Sequence, residues 1–172
     1  VHFAGTQGVG KSTVLRALLF FYNADKMRLG IQSGQKTFEE FYFKYSNSYI
    51  VYEVRTEQSA YSILLSRSQG KVVYRFIDSP YKKEWLVGKD GRVESDWIKV
   101  REKIGANVDI SAKIDTYELY RNIIFGNTHD RSHKFDKYAL VESAKYQNIP
   151  RSIQNVFLNS KLDADFVKTT II

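Results

Sequence analysis

Apolar residues fall at three- and four-residue spacing over residues 11–22, where Val14, Leu15, Leu18, Leu19 and Tyr22 share a side and Phe20 and Phe21 fill the gaps. This predicts a buried helix, apolar most of the way round and stopped at Asn23. Residues 24–48 follow no period and carry an aromatic cluster, Phe38, Phe41, Tyr42, Phe43 and Tyr45. From residue 48 the period becomes two. Residues 48–55, 61–67, 71–78 and 84–87 read as strands rich in β-branched and aromatic side chains. Gln69-Gly70 joins the second to the third, and Asp90-Gly91 marks a hairpin between residues 85–87 and 92–94. The connections are too short for helical crossovers, which predicts an antiparallel meander.

Beyond Asp96 the pattern turns helical again, over residues 96–104, 113–125 and 135–146. Ile114, Tyr117, Ile123 and Ile124 mark the apolar face of the middle helix. Pro150 breaks the pattern. Residues 152–158 read as a short buried strand, and Asp163 caps a last amphipathic stretch with Phe166, Val167, Thr170 and Ile171 on one side. No internal repeat, low-complexity tract or linker interrupts the chain. It opens on Val1 inside an apparent strand (residues 1–4) and closes on the apolar run 169–172, which points to a piece of a longer polypeptide.

With 172 residues, 43% of them hydrophobic and 26% charged, the chain has the length and mix of one globular domain and not of a disordered segment. No apolar run approaches a membrane span. The absence of cysteine excludes a disulfide framework, a thiolate metal site and a cysteine nucleophile, and fits a reducing, cytoplasmic setting. The formal charge of +7 favours a polyanionic partner, nucleic acid first.

One motif carries chemistry. Gly5-Thr6-Gln7-Gly8-Val9-Gly10-Lys11-Ser12 matches G-x-x-x-x-G-K-[ST], the P-loop. Phosphates need a concave ring of backbone N–H donors, and glycines let the chain turn tightly enough to form it. The helix that follows adds donors and a favourable dipole. In this arrangement Lys11 reaches the β- and γ-phosphates of ATP, the Ser12 hydroxyl ligates Mg²⁺, and Thr13 supports the α-phosphate. The preceding apolar strand and following apolar helix are the context this mechanism requires.

Hydrolysis needs a second acid at the end of an apolar strand. The best placed is Asp78, but Arg75 interrupts its strand and Ser79-Pro80 follows where a second acid is wanted; the plainer reading is a strand end entering a turn. A GTP switch is a second possibility. Residues 159–163 approximate N-K-x-D with one serine inserted, and 160–163 is an alternative register, yet Asp78-Ser79-Pro80-Tyr81 lacks the glycine of D-x-x-G. A nucleotide-gated interaction module without catalysis is a third.

A P-loop, its helix and then several antiparallel strands before any further parallel strand is the order of an ABC-type ATPase head. The chain resembles the N-terminal half of an SMC-like or RecF-like head. The points of resemblance are the P-loop with Ser12-Thr13, the helix ending at residues 18–23, the hairpin-rich insert and the late segment 152–158. The resemblance implies an α/β P-loop NTPase fold in an incomplete lobe: P-loop and helix over 1–23, antiparallel insert over 48–94, a helical part over 96–147, and a Q-loop-like strand with a final helix over 152–172. It implies that Gln154 is the Q-loop glutamine, serving Mg²⁺ and the attacking water beside Lys11 and Ser12. Gln147 and Gln69 are weaker rivals. The final helix would open a coiled coil. A C-terminal lobe would supply the signature motif, the Walker B acid and the catalytic glutamate, none of which appears here. The intact protein would act as a homodimer and contact DNA. Residues 105–146 have no counterpart in this resemblance.

Other residues carry weaker signals. His129 and His133, with Asp130 and Asp136, make a conceivable metal pair that lacks a third ligand. Trp85 and Trp97 read as packing residues. Lys71, Arg75, Lys82, Lys83, Lys89 and Arg92, then Lys99, Arg101 and Lys103, with Tyr74 and Tyr81 interleaved, form either a phosphate-backbone surface or a solvated face.

Overall fold

The computed structural model describes Thr6 and residues 10–21, 37–57, 59–127 and 134–140. The expected strand over 1–4, the strand over 152–158 and the final amphipathic stretch lie outside the described residues, as does the expected helix over 135–146 beyond residue 140; its described part forms only a 3₁₀ turn, Asp136–Tyr138, after which Ala139 is extended. The chain forms two compact units, one made of Val1–Gln35 with Val141–Ile172 and the other of Lys36–Leu140.

In the first unit, helix α1 (Lys11–Phe21) forms where the apolar spacing places it. Its ladder opens with the Val14 N–H on the Gly10 carbonyl at 3.1 Å. Phe20 and Phe21 are buried, whereas Val14 and Leu18 are 46% and 48% exposed. Residues four apart share a helix side, so one stripe of α1 faces solvent and the expected burial holds on the other side alone.

The second unit starts with helix α2 (Phe38–Tyr42), in a stretch whose spacing suggested no regular structure. A capping box makes this turn. The Thr37 hydroxyl accepts from the Glu40 N–H at 3.2 Å, and the Glu40 carboxylate accepts from the Thr37 N–H at 2.9 Å. The two bonds satisfy donors that a helix start leaves without partners, and Phe38 is buried.

Strands β1 (Ile50–Arg55), β2 (Ala60–Ser68) and β3 (Lys71–Ile77) follow as an antiparallel meander in the order β1-β2-β3. Val51 pairs with Leu64, and Leu64 with Arg75. Gln69 and Gly70 both take positive φ, +50° and +80°, as a two-residue turn between right-twisting strands requires. Burial in β2 and β3 is nearly continuous, the mark of a sheet covered on both faces.

The fourth expected strand, over 84–87, does not form. Trp85 and Leu86 are consecutive and both buried, which a one-faced strand with period two cannot provide. The backbone instead makes a 3₁₀ turn at Lys83–Trp85. The Asp90-Gly91 hairpin survives in reduced form, with one bridge between Val87 and Val93, Gly91 at φ +75°, and the Gly88 N–H on the Arg92 carbonyl at 2.8 Å.

The outer edge of β3 is covered by a segment that the helical spacing obscured. Tyr74 and Ile114 exchange both backbone bonds, at 2.8 and 3.0 Å, and the Asp78 N–H donates to the Asp109 carbonyl at 2.9 Å. Between them the Ser111 hydroxyl accepts from the Phe76 N–H at 3.0 Å, a side chain standing in for a strand neighbour. Ile114 thus belongs to the sheet edge, and helix α4 (Tyr117–Ile124) begins four residues later than the spacing suggested, capped by Thr116.

Two layers close the sheet. On one face Leu64 and Ile77 pack with Trp85, Leu86, and Val100 and Ile104 of helix α3 (Trp97–Ile104), which Asp96 caps. On the other face Tyr74 stacks on Tyr120 of α4 at 4.4 Å between centroids, and Phe76 meets Tyr120, Phe135 and Tyr138. The Tyr61 hydroxyl donates to the Tyr138 carbonyl at 2.9 Å, tying the short 3₁₀ turn Asp136–Tyr138 to β2. Burial of Tyr74 and Tyr120 pushes both phenols well above the usual tyrosine range.

Phe76 is fully buried at the centre of this aromatic layer. Phe76→Ala is expected to cost about 3–5 kcal/mol of unfolding free energy, read as a lower urea midpoint. A loss under about 1 kcal/mol would show that the layer is not packed as described.

Candidate functional site

Among the P-loop residues, Thr6 is exposed and Gly10 stands immediately before α1 with φ +89°. A Cβ at Gly10 would meet nothing within 4 Å, so the backbone conformation and not crowding is what asks for glycine here. The first-turn amides precede the Val14–Gly10 bond and point along the helix axis towards the loop. No acidic residue occupies this first turn, which leaves the positive end of the dipole to Lys11, Ser12 and Thr13. Gly5, Gln7, Gly8 and Val9, the side chains of Lys11 and Ser12, and the Q-loop candidate Gln154 lie outside the described residues.

Asp78 ends β3, and the Lys137 ammonium lies 2.6 Å from its carboxylate and 3.8 Å from that of Asp109. The hydrogen bond to Asp78 raises the Lys137 pKa. Beyond Asp78 the chain turns, and the Ser62 hydroxyl holds the Ser79 carbonyl at 2.8 Å. Asp78 thus behaves as a strand-end residue in an ion pair, the plainer of its two readings. The guanine-recognition candidate over 159–163, and His129 with His133, lie outside the described residues. Among the described residues no three His, Asp or Glu side chains gather as a metal site.

The basic cluster is partly dismantled by the fold. Arg75 is buried under α3, with its guanidinium 3.9 Å from the Trp97 ring centroid. Tyr74 is buried on the opposite face. Arg101 donates to the Gly105 carbonyl at 2.7 Å, closing the end of α3. Lys103 lies 3.6 Å from Glu94, and Arg92 lies 3.6 Å from Asp90. Tyr81 packs edge-on against Trp85, and its N–H donates to Glu53 at 2.9 Å. Lys71, Lys82, Lys83, Lys89 and Lys99 remain as exposed cations. Trp85 is a packing residue, as expected. Trp97 also packs, but on a charge. The signal for this pair lay in the run Lys71–Ile77, where Arg75 is the one charge inside an otherwise apolar and aromatic strand.

The described residues define a mixed α/β protein, with a three-stranded antiparallel sheet and a few helices. A family model for a protein of unknown function, DUF3584, matches residues 1–172, and the chain belongs to that family. No curated protein matches. No solved structure matches. Among the described residues no helix is long and apolar enough to cross a membrane.

Two carboxylates, Glu53 of β1 and Glu94 before α3, give the unit a pH dependence. Glu53 is kept below the usual 4.5 by its hydrogen bond from Arg55 and then by that from the Tyr81 N–H. Glu94 is kept below 4.5 by the Asp96 N–H first, with Lys99 and Lys103 adding to the effect. A depressed folded-state pKa contributes stability above the unfolded value and loses it as pH falls through the folded one. Urea midpoints are therefore expected to drop as pH is lowered below 4.5, less steeply in Glu53→Gln. An identical pH slope in wild type and Glu53→Gln would refute the assignment.

Proposed function

We propose that this chain is the ATP-binding N-terminal part of an SMC-like or RecF-like ATPase head acting on DNA, in repair, chromosome organisation or defence against foreign DNA. The observation that carries the proposal is the union of the G-x-x-x-x-G-K-S run with a positive-φ glycine at the head of an acid-free helix start. Such a turn suits a backbone cradle for phosphates. Support also comes from the antiparallel meander that follows α1 in sequence. In this reading Gly5 through Ser12 wrap the triphosphate, Lys11 neutralises its β- and γ-oxygens, and Thr13 steadies the α-phosphate. Ser12 and Gln154 hold Mg²⁺, which supplies charge neutralisation on the phosphates.

The ion pair of Asp78 with Lys137 weighs against the best strand-end acid as a metal-shell residue. That favours a hydrolytic centre completed by a C-terminal lobe and by the partner of a homodimer over one contained in residues 1–172. It equally suits a nucleotide-gated module without turnover, so activity of the complete head separates these two readings. The exposed lysines that remain on the second unit are the residues a DNA backbone would meet.

Lys11→Ala is expected to weaken ATP binding roughly ten- to a hundredfold, the equivalent of about 1.5–3 kcal/mol for a charge-assisted contact. Isothermal titration with ATP and with GTP is the measurement. Unchanged ATP affinity in the variant would remove the central claim, and a preference for GTP would favour the switch.

Gln154→Ala is expected to leave ATP affinity nearly intact and to lower turnover of the complete enzyme, since placing metal and water matters most in the transition state. Loss of binding with no separate loss of turnover would reject the Q-loop role.

A further inference from the structure

Arg75 is an unusual residue for the inside of a strand. It is 9% exposed and sits beneath α3, with its guanidinium over the Trp97 indole. Arginine stays charged and carries five N–H donors in a planar fork. Burying such a group without an anion costs several kcal/mol, so buried arginines are ordinarily paired. Among the described residues no carboxylate lies within ion-pair distance of Arg75 and no acceptor takes its N–H groups. Its nitrogen atoms nevertheless keep contact with solvent.

The acids that precede Trp97 in the chain are occupied elsewhere. Glu94 accepts from the Ser95 and Asp96 N–H groups at 3.1 and 3.2 Å, and Asp96 caps α3 through the Ile98 N–H at 2.9 Å. The Tyr49 hydroxyl donates to the Glu94 carbonyl at 2.7 Å. Next to these residues in sequence stand two exposed apolar side chains, Val93 at 36% and Ile98 at 67%.

We propose that the Arg75–Trp97 pair is a receptor for one carboxylate side chain, presented by an acidic residue with apolar neighbours in a protein partner. The fork of Arg75 matches a carboxylate in plane and spacing. Trp97 holds the fork flat and gives the entering group an apolar wall. Val93 and Ile98 supply apolar contact for the flanking residues. Arginine and tryptophan at a small, largely desolvated position are the residue types that dominate protein interfaces. A nucleic-acid strand suits the site less well, because it would bring a row of negative charges near Glu94 and Asp96 where a single side-chain carboxylate brings one. This inference does not depend on the nucleotide reading.

The test is a titration of the whole chain, followed by the Arg75 Nε–H and Trp97 indole N–H resonances. The probes are a capped Leu-Glu-Phe tripeptide, its Leu-Gln-Phe counterpart, inorganic phosphate and a short DNA duplex. The Glu peptide is expected to shift both resonances and to bind at least about fivefold more tightly than the Gln peptide, as a charge-assisted bond requires. Arg75→Met should abolish that preference while the melting temperature holds or rises, since a buried charge has been replaced by an apolar group of similar length. Arg75→Lys, which keeps the charge and loses the fork, should bind the Glu peptide less tightly than wild type. Equal response to the two peptides, saturation by phosphate or DNA at lower concentration, or undiminished Glu-peptide binding in Arg75→Lys would each overturn the proposal.

Discussion

Everything described in the second unit depends on β3 being buried on both faces and bonded on both edges. Along Lys71–Ile77 the side chains alternate between an aromatic layer under α4 and an aliphatic layer under α3, and six consecutive residues are buried. A strand so enclosed must satisfy every backbone group, because an unpaired buried amide costs about as much as a lost hydrogen bond. β2 provides one edge. Residues 109–114 provide the other, and the Ser111 hydroxyl fills the position where the segment departs from strand geometry. Removing either partner would expose a row of donors in the middle of the core.

The same enclosure explains how α3 and α4 are placed. Each is a short helix with caps at its start, Asp96 and Thr116, and short helices draw little stability from propensity. Their apolar sides are held by the two faces of one strand. The Arg75–Trp97 contact belongs to this geometry, since the alternation that directs Phe76 into the aromatic layer directs Arg75 under α3.

Much of this was legible from spacing alone. Period-two alternation located all three paired strands to within a residue or two, and the helical repeat located α1. The helical pattern over 96–104 likewise located α3, with Asp96 as its cap. Three features escaped. The Thr37–Glu40 capping box was written in the sequence, but an aromatic cluster beside it masked the helix it starts. The 3₁₀ turn at Lys83–Trp85 looked like a strand because Trp, Leu and Val favour strands, and only tertiary burial of adjacent residues decides otherwise. The edge segment 109–114 has no period of its own, since it meets β3 at two isolated bridges and through one serine side chain. The G-x-x-x-x-G-K-S run was legible as a motif, and its Gly10 takes a positive φ. The identity of a Q-loop glutamine rests on long-range placement, which no local pattern encodes.

The division of the chain into units also orders events in time. The turn at Gln69-Gly70 brings β2 against β3 with almost no loop to close, the kind of contact that forms within about 1–10 μs. The unit that bears the P-loop motif is assembled from both ends of the chain, with residues 36–140 intervening. During synthesis the emerging polypeptide can finish the meander and its two covering helices before residues 141–172 of the first unit have been made.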